Sequence, residues 1–528
     1  SNYSHRIGFE LRQKLDTLAR LRVEGSATIV GGENRDIAET LIRNEAQTVD
    51  DYTVNQFTQT ERPSGDISIR YNRGGGGGRR SFMGGGQTAN RTFGINAGAS
   101  YNKNQTDLDV LTEGLNEGTA LPGALVNGQQ VQDRRTDSYN FEVGVDYAEP
   151  IGKSWRLRFD GDADLDRDEG NFNFRLGEDR TANLLDRDWL SLGAAASMIY
   201  TFGKGSNLSF GTRYQANTLT LDGDVMKEDN FNFLLPFVRL RMRMKKGFFS
   251  ANLNSSSRAP SIGQLQTIAQ PNTSGRVSIG NPDLEPAVNT RFNSFMWFND
   301  QFRAISANFN VNLTYTDNAF GNSVTFTEGQ QIYQTINVGH AWSGGLFASS
   351  TIGMNFINGE LRLKGNVNGS RGVGFVDEVS QVNTSISTSA GISVTTELNE
   401  DSYILVGYDL SRFVNSFEGD GSPTTGQTTH DLLGQFELEV SPKWRFESRF
   451  LYSIFAANDF AAAQNIPDLR VSLELRPFRK KGHFIRFSAS DLFNQNTIVR
   501  RSVQPFVTTE TTADGLGRYY LATFHYKI

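Results

Sequence analysis

The sequence predicts an all-β fold, a transmembrane antiparallel β-barrel occupying residues 1–528, and three observations predict it. Apolar and polar residues alternate with period two along most of the chain. Short turns and long polar segments follow one another without a lapse, and aromatic residues crowd the short turns. Successive side chains of a strand point to opposite faces, so such alternation builds a sheet with one apolar and one polar face. A water-soluble sandwich buries the apolar face; a membrane barrel turns it to lipid and keeps the polar face wet.

The chain has 528 residues, 37% hydrophobic and 11% aromatic, with 53 Gly, 13 Pro and no Cys. No Pro/Ser-rich linker, long charge block or change to a 3.6-residue period divides it into smaller domains. It contains no run of 18 apolar residues, which excludes a helical membrane protein but not a barrel, whose strands are short and alternating. Without Cys there are no disulfides, thiol nucleophiles or thiolate metal sites. A net charge of -6 argues against general nucleic-acid binding.

Taken in order, Ile7, Phe9 and Leu11 begin the alternation, which returns after Asp16-Thr17 as Leu21, Val23, Ala27 and Ile29. A polar segment from Gly31 to Asp51 follows, with a short loop helix expected over Ile37 to Ile42, before Ile67, Ile69 and Tyr71 mark a third strand. The Gly74 to Gly78 run reads as a flexible turn, because no Lys-Ser/Thr and no helix follow it as a phosphate cradle requires. Phe93 to Tyr101 and Tyr139 to Tyr147 are the next strands, separated by a long loop. After Gly152-Lys153, Trp155, Leu157, Phe159, Ala163 and Leu165 alternate with Arg156, Arg158, Asp160, Asp162, Asp164 and Asp166. An EF-hand starting at Asp160 would need Gly where Leu165 stands, so the acidic row reads as a polar strand face and not as a calcium loop.

Leu192 to Phe202 pairs with Leu208 to Tyr214. Then Val238, Leu240, Met242 and Met244 alternate with Arg239, Arg241, Arg243 and Lys245, and the chain turns at Lys246-Gly247 into Phe249, Ala251 and Leu253. A long polar segment from Ser255 to Val288 follows. The same unit recurs in Phe292 to Phe298 with Ile305 to Tyr315, the long Ile332 to Phe356 with Leu361 to Val367, and Ile386 to Leu398 with Tyr403 to Leu410. Leu432 to Val440 pairs with Trp444 to Ile454, Leu469 to Leu475 with Ile485 to Ala489 through Arg479 to Gly482, and the last strand runs from Tyr519 to Ile528.

The count is ten short turns and ten long segments, hence 21 strand patterns. Trp155, Phe202, Phe248, Trp297, Phe302, Phe356, Tyr403, Trp444, Phe478 and Phe484 all lie beside short turns, as an interfacial aromatic girdle would. Brief periplasmic turns opposite large outer loops are the layout of an outer-membrane barrel, with the C-terminus in the periplasm. Single-chain bacterial barrels have even strand numbers. Parity therefore places one further strand upstream of Ser1 and gives about 22 strands in the intact barrel.

Family resemblance rests on two regions. The loop after Leu253 reads Ser257-Arg258-Ala259-Pro260-Ser261, then Gln264-Leu265, then Gly280-Asn281-Pro282-Asp283-Leu284-Glu285-Pro286. The end of the chain reads Asp491-Leu492-Phe493-Asn494 and Gly517-Arg518-Tyr519-Tyr520, with Ala522, Phe524 and Tyr526 alternating. This resembles TonB-dependent outer-membrane receptors, in particular the barrels common in Bacteroidota. The resemblance implies energised uptake through a barrel with an N-terminal plug, driven by a TonB-type periplasmic partner. It makes Arg258, Pro260, Gly280, Asn281, Pro282, Leu284 and Pro286 the family-motif loop. The chain departs from the family in ending at Ile528 rather than an aromatic residue. These 528 residues hold no plug and no TonB-contacting segment, and both are expected upstream of Ser1 together with the first strand.

Catalysis finds little support: His5, His340, His430, His483 and His525 are scattered, with no metal-spaced pair and no Gly-x-Ser-x-Gly elbow. No enzyme activity, metal or cofactor is expected. Charge ladders carry more. Arg239, Arg241 and Arg243, the Asp160, Asp162 and Asp164 row, Arg445, Glu447 and Arg449, and Arg470, Glu474 and Arg476 all share the polar parity, which predicts a lumen lining in which opposite charges pair across strands. The alternative is a substrate-guiding electrostatic surface. The functional expectation is a receptor-like barrel taking up an unidentified substrate, with outer-membrane lipid and surface lipoproteins as further partners. The alternatives are a non-transporting scaffold and an open porin-like channel.

Overall fold

The computed structural model describes residues 2–44, 47–74, 91–113, 128–176, 179–268, 270–271, 276–327, 330–418, 424–457, 463–477, 483–495, 497–504, 507–514 and 517–525. Three expectations fall outside them in whole or in part: the glycine run beyond Gly74, the turn with Phe478, and the chain end from Tyr526 to Ile528.

Nearly all described residues are strand. The first ten are β1 (Asn2–Lys14), β2 (Ala19–Asn44), β3 (Gln47–Arg73), β4 (Thr92–Glu113), β5 (Gly128–Ile151), β6 (Trp155–Leu176), β7 (Asp179–Phe202), β8 (Ser206–Gly223), β9 (Lys227–Met244) and β10 (Gly247–Arg258). One helical turn, α1 (Ile262–Leu265), and two short strands, β11 (Gln270–Pro271) and β12 (Arg276–Ile279), follow in the loop. The wall resumes with β13 (Ala287–Asp300), β14 (Ile305–Thr327), β15 (Gln330–Met354), β16 (Gly359–Val376) and β17 (Val379–Asn399). It continues through β18 (Ser402–Glu418), β19 (Thr425–Ser441), β20 (Trp444–Phe455), β21 (Gln464–Leu475) and β22 (Phe484–Ser490). A separate hairpin, β23 (Thr497–Gln504) with β24 (Val507–Asp514), precedes the last strand, β25 (Tyr519–His525).

Setting aside β11, β12, β23 and β24, 21 strands pair antiparallel with their sequence neighbours in one continuous sheet. This is the number of patterns in the sequence. Among the described residues β1 pairs only with β2 and β25 only with β22, and the two run in the same direction.

The register separates the faces. Val238 sits opposite Leu253 and Phe210, and Phe292 opposite Leu253 and Leu313, so one apolar face runs from strand to strand. Its side chains are large and half-exposed: Val143, Phe159, Leu192, Val238, Leu313, Val406 and Phe487. An uncovered apolar surface of that extent is a lipid-facing one. No described helix is long and apolar enough to cross a membrane.

Two expectations change. Residues Ile37 to Ile42 are not helical: β2 stays paired with β3 from Ala19↔Arg73 to Asn44↔Gln47. A ladder with one register shift, between Ile42 and Arg43, pairs the backbone along the hairpin, and the same extension of strands beyond the apolar band makes much of the expected loops strand instead. The turn aromatics also divide between faces. Trp155 (beside Tyr200, 4.6 Å between ring centroids), Phe202 and Trp444 lie on the apolar face. Phe302 and Phe356 stand in the turns themselves, 99% and 84% exposed. Phe248, Trp297, Tyr403 and Phe484 point to the polar face: Arg241 lies 5.0 Å over Phe248, Gln435 donates to Tyr403 Oη, and Arg486 lies 5.3 Å over Phe484. Nearness to a turn does not choose the face; strand parity does.

One hairpin leaves the regular wall. Below Asp317 and His340 the order is β13–β14–β15–β16, but farther out β14 pairs with β16 (Ser323↔Phe375, Val324↔Val376) and β15 with β12 (Arg276↔Gln331 to Ile279↔Gln334), both parallel. The order of the two strands relative to their neighbours is reversed, so the outer part of the hairpin has rolled over by half a turn.

Two outcomes follow from this placement. Val238→Arg puts a cation near mid-bilayer and is expected to lower stability by about 2–4 kcal/mol in lipid, measured by urea unfolding in phospholipid vesicles; an unchanged midpoint contradicts a lipid-facing Val238. At the short-turn end, the Lys246 ammonium pairs with the buried Asp300 carboxylate and holds its pKa below the ordinary value. A depressed carboxylate stabilises above its unfolded pKa of about 3.9 and loses that contribution as pH falls through the lower folded value. Asp300→Asn should therefore destabilise at neutral pH, and the gap to the unaltered protein should close in acid.

Candidate functional site: the polar face and the outer clasp

The polar face carries the charges, and most are paired. Asp160 accepts from Arg158 at 2.6 Å on its own strand, and Asp162 from Arg213 at 2.9 Å, two strands away. That reach is open because β7 offers only Gly193 and Ala195 between them; a Cβ on Gly193 would lie 2.6 Å from Asp162 Oδ2. Asp164 and Asp166 both accept from Asn140 Nδ2, at 2.6 and 2.8 Å. The acidic row is thus spent on neighbours, and among the described residues no His/Asp/Glu group could hold a metal ion.

A second network spans β19 to β22. Glu474, 4% exposed, accepts from Arg476 at 2.8 Å and Arg486 at 2.6 Å, and Arg476 reaches Glu439 at 3.3 Å. Arg445 pairs with Glu437, Ser472 donates to Glu447 at 3.4 Å, and Arg470 pairs with Asp468 at 2.7 Å while lying opposite Arg449. The β9 ladder differs. Arg239 meets Asn252 at 3.4 Å and Arg241 lies over Phe248, while Arg241 and Arg243 make no ion pair among the described residues.

At the long-loop end the motif residues come together as a clasp. Leu284 and Leu265 are fully buried with Ile262 against Leu185, Trp189, Leu219 and Leu221, which ties the loop to β7 and β8. Gly280 N–H donates to Gln266 O at 2.7 Å and Asn281 N–H to Gln264 O at 2.6 Å. A Cβ on Gly280 would lie 2.1 Å from Gln266 O, so only glycine fits this approach. The Asn281 side chain accepts from Asp283 N–H at 3.0 Å and shapes the turn. Three motif carbonyls are anchors: Pro260 O accepts from Arg187 at 2.7 Å, Pro282 O from Lys227 at 3.4 Å and Pro286 O from Asn318 at 3.2 Å. Arg187, itself buried, also pairs with Asp168 at 2.5 Å, and Arg258 lies 5.4 Å over Phe320. Asn337 exchanges two bonds with Glu285 (2.8 and 3.0 Å), fastening the rolled hairpin to the same loop.

Sequence reasoning singled out the motif but not Arg187, Trp189, Leu219 or Asn337. Arg187 and Trp189 precede, and Leu219 follows, the strand patterns read from the alternation of β7 and β8, and Asn337 occupies an ordinary polar place on β15.

A membrane wall of antiparallel strands with a polar interior face and an ordered loop end is now in hand, and a family model described as the outer membrane protein beta-barrel family matches residues 87–526. The chain belongs to this outer membrane protein β-barrel family. No curated protein matches it in sequence. Among solved structures it is similar to the copper transporter OprC, with 11% identity over 98% of this chain and 78% of that one and a TM-score of 0.45. It is also similar to the ferric citrate transporter FecA in unliganded form, with 10% identity, 98% and 77% coverage and a TM-score of 0.41. A third is the outer membrane transporter YddB from Escherichia coli, with 8% identity, 99% and 75% coverage and a TM-score of 0.40.

The clasp makes a local prediction for this family member. Leu284→Ala is expected to cost about 2–5 kcal/mol of local stability, seen as faster hydrogen exchange at the Gly280 and Asn281 amides with β9 and β10 unchanged. Unchanged protection at those amides contradicts the clasp.

Proposed function

We propose that this chain is the barrel of an energised outer-membrane receptor that takes up a substrate caught at its loop end. The observation that carries this reading is the size of the wall. Barrels of 16–18 strands leave aqueous pores, whereas barrels of about 22 are transporters with a filled lumen, and this wall has 21 strands. In this reading the short turns are periplasmic and the C-terminus lies on that side. The ladders of Arg239, Arg241 and Arg243, of Asp160, Asp162 and Asp164, and of Arg445, Glu447 and Arg449 then line the lumen. Their pairing is a structural lining, and Arg241 and Arg243 of β9, which make no ion pair among the described residues, are the part of it turned toward whatever fills or crosses the barrel. The clasp of Arg258, Pro260, Gly280, Asn281, Pro282, Leu284 and Pro286 holds the substrate-facing loops rigid. Because β1 and β25 run in the same direction, one further strand antiparallel to both closes the wall. A plug fills it, and a TonB-type periplasmic partner moves the plug.

One preparation tests this. Protein isolated from its native membrane is expected to have an intact mass above the 58.6 kDa of these residues and to retain the periplasmic domain of the cell's TonB-type protein. A mass equal to that value together with no retention contradicts the uptake reading and favours a scaffold whose filling comes from other chains.

A further inference from the structure

The two ends of the wall carry opposite charge. Seven of the ten short connections between strands hold Lys or Arg, among them Lys153, Lys204, Lys245, Arg303 and Lys443. Carboxylates stand in two, as Asp16 and as Glu400 with Asp401. At the opposite end, setting aside the loops from 259 to 286 and from 491 to 518, each of the eight connections holds a carboxylate and none holds Lys or Arg; Glu45, Glu178, Asp224 and Asp377 are examples. Cations are thus a property of one end of the wall and not of its connections in general.

The chain does not compensate these cations. Lys246 pairs with Asp300, but Lys153, Lys204, Lys245, Arg303 and Lys443 are exposed and make no ion pair among the described residues. Asp16 is spent on its own turn, where it accepts from the Leu18 and Ala19 amides, both at 2.6 Å. Four of the cations also stand beside an aromatic ring. Lys153 is two residues from Trp155, Lys204 two from Phe202, Arg303 next to Phe302 and Lys443 next to Trp444. Trp155, Phe202 and Trp444 lie on the apolar face, the two indoles 38% and 42% exposed. Such rings sit where acyl chains meet headgroups. A flexible ammonium one or two residues farther toward the turn reaches the level of the phosphates.

We propose that the short-turn end is a docking surface for anionic phospholipid: headgroup phosphates of the leaflet at that end collect on Lys153, Lys204, Arg303 and Lys443. Charge complementarity selects this occupant, because a rim of uncompensated like charges repels itself in water and is relieved at an anionic membrane surface. The ring beside each cation holds it at the height where that relief is available. The inference rests on the wall's place in the bilayer and not on uptake, so failure of one leaves the other standing.

The test uses the full chain in phosphatidylcholine nanodiscs, doped with equal small fractions of phosphatidylglycerol or phosphatidylcholine brominated high on the acyl chains. Quenching of Trp444 is read as the difference between the unaltered protein and Trp444→Phe, and that of Trp155 as the difference from Trp155→Phe. The anionic lipid is expected to quench each indole at about fivefold lower mole fraction than the neutral one. Lys443→Gln should at least halve the preference at Trp444 and leave that at Trp155 intact, and Lys443→Arg, which keeps the charge, should retain both. Equal quenching by the two lipids, or a preference at Trp444 that Lys443→Gln leaves unchanged, overturns the surface.

Discussion

Inside a bilayer every backbone N–H and C=O must find its partner within the protein, and the rest of this structure depends on that requirement. A closed sheet meets it, and a sheet in lipid must also present apolar side chains on its outer face. Both demands are visible at β9: its backbone is paired on one side with β8 and on the other with β10, while Val238, Leu240 and Met242 share the apolar face and Arg239, Arg241 and Arg243 the polar one. Taking those arginines out of lipid is what forces the period of two.

The polar face then has its own problem, because charges crowded on one face of a sheet must be compensated. Partners are found along the strand, as Arg158 with Asp160, and across it, as Arg486 with Glu474. They are also found over a deliberate gap, as Arg213 reaches Asp162 above Gly193. The loop end uses different physics: a small apolar core around Leu284, Leu265 and Trp189, with buried Arg187 binding both Asp168 and the Pro260 carbonyl. The receptor reading is carried by the 21-strand wall, and this loop platform is where that reading places the substrate.

The wall was legible in the sequence because lipid imposes a pattern no polar segment can imitate, and the 21 alternating segments are the 21 strands of the wall. What lies above the apolar band was not. Once β2 leaves lipid its two faces need not differ, so the stretch through Ile37 to Ile42 loses the alternation while keeping its ladder with β3. The roll of the β14–β15 hairpin was illegible for a similar reason: it is set by pairings to β12 and β16 that no local pattern encodes. The motif residues were visible as a motif, but their work as glycine contact, carbonyl anchors and buried leucine needs the partners Arg187, Lys227 and Asn318, which come from distant strands.

The central claim, that alternate residues of one strand face lipid and water, has a direct test because the chain contains no cysteine. Single cysteines placed in turn at positions 238 to 243 can be labelled in proteoliposomes with a membrane-impermeant maleimide and with a lipid-soluble one. The account predicts that the impermeant reagent reaches 239, 241 and 243, and that 238, 240 and 242 react only with the lipid-soluble reagent. Uniform labelling along the strand, or the opposite alternation, would contradict it.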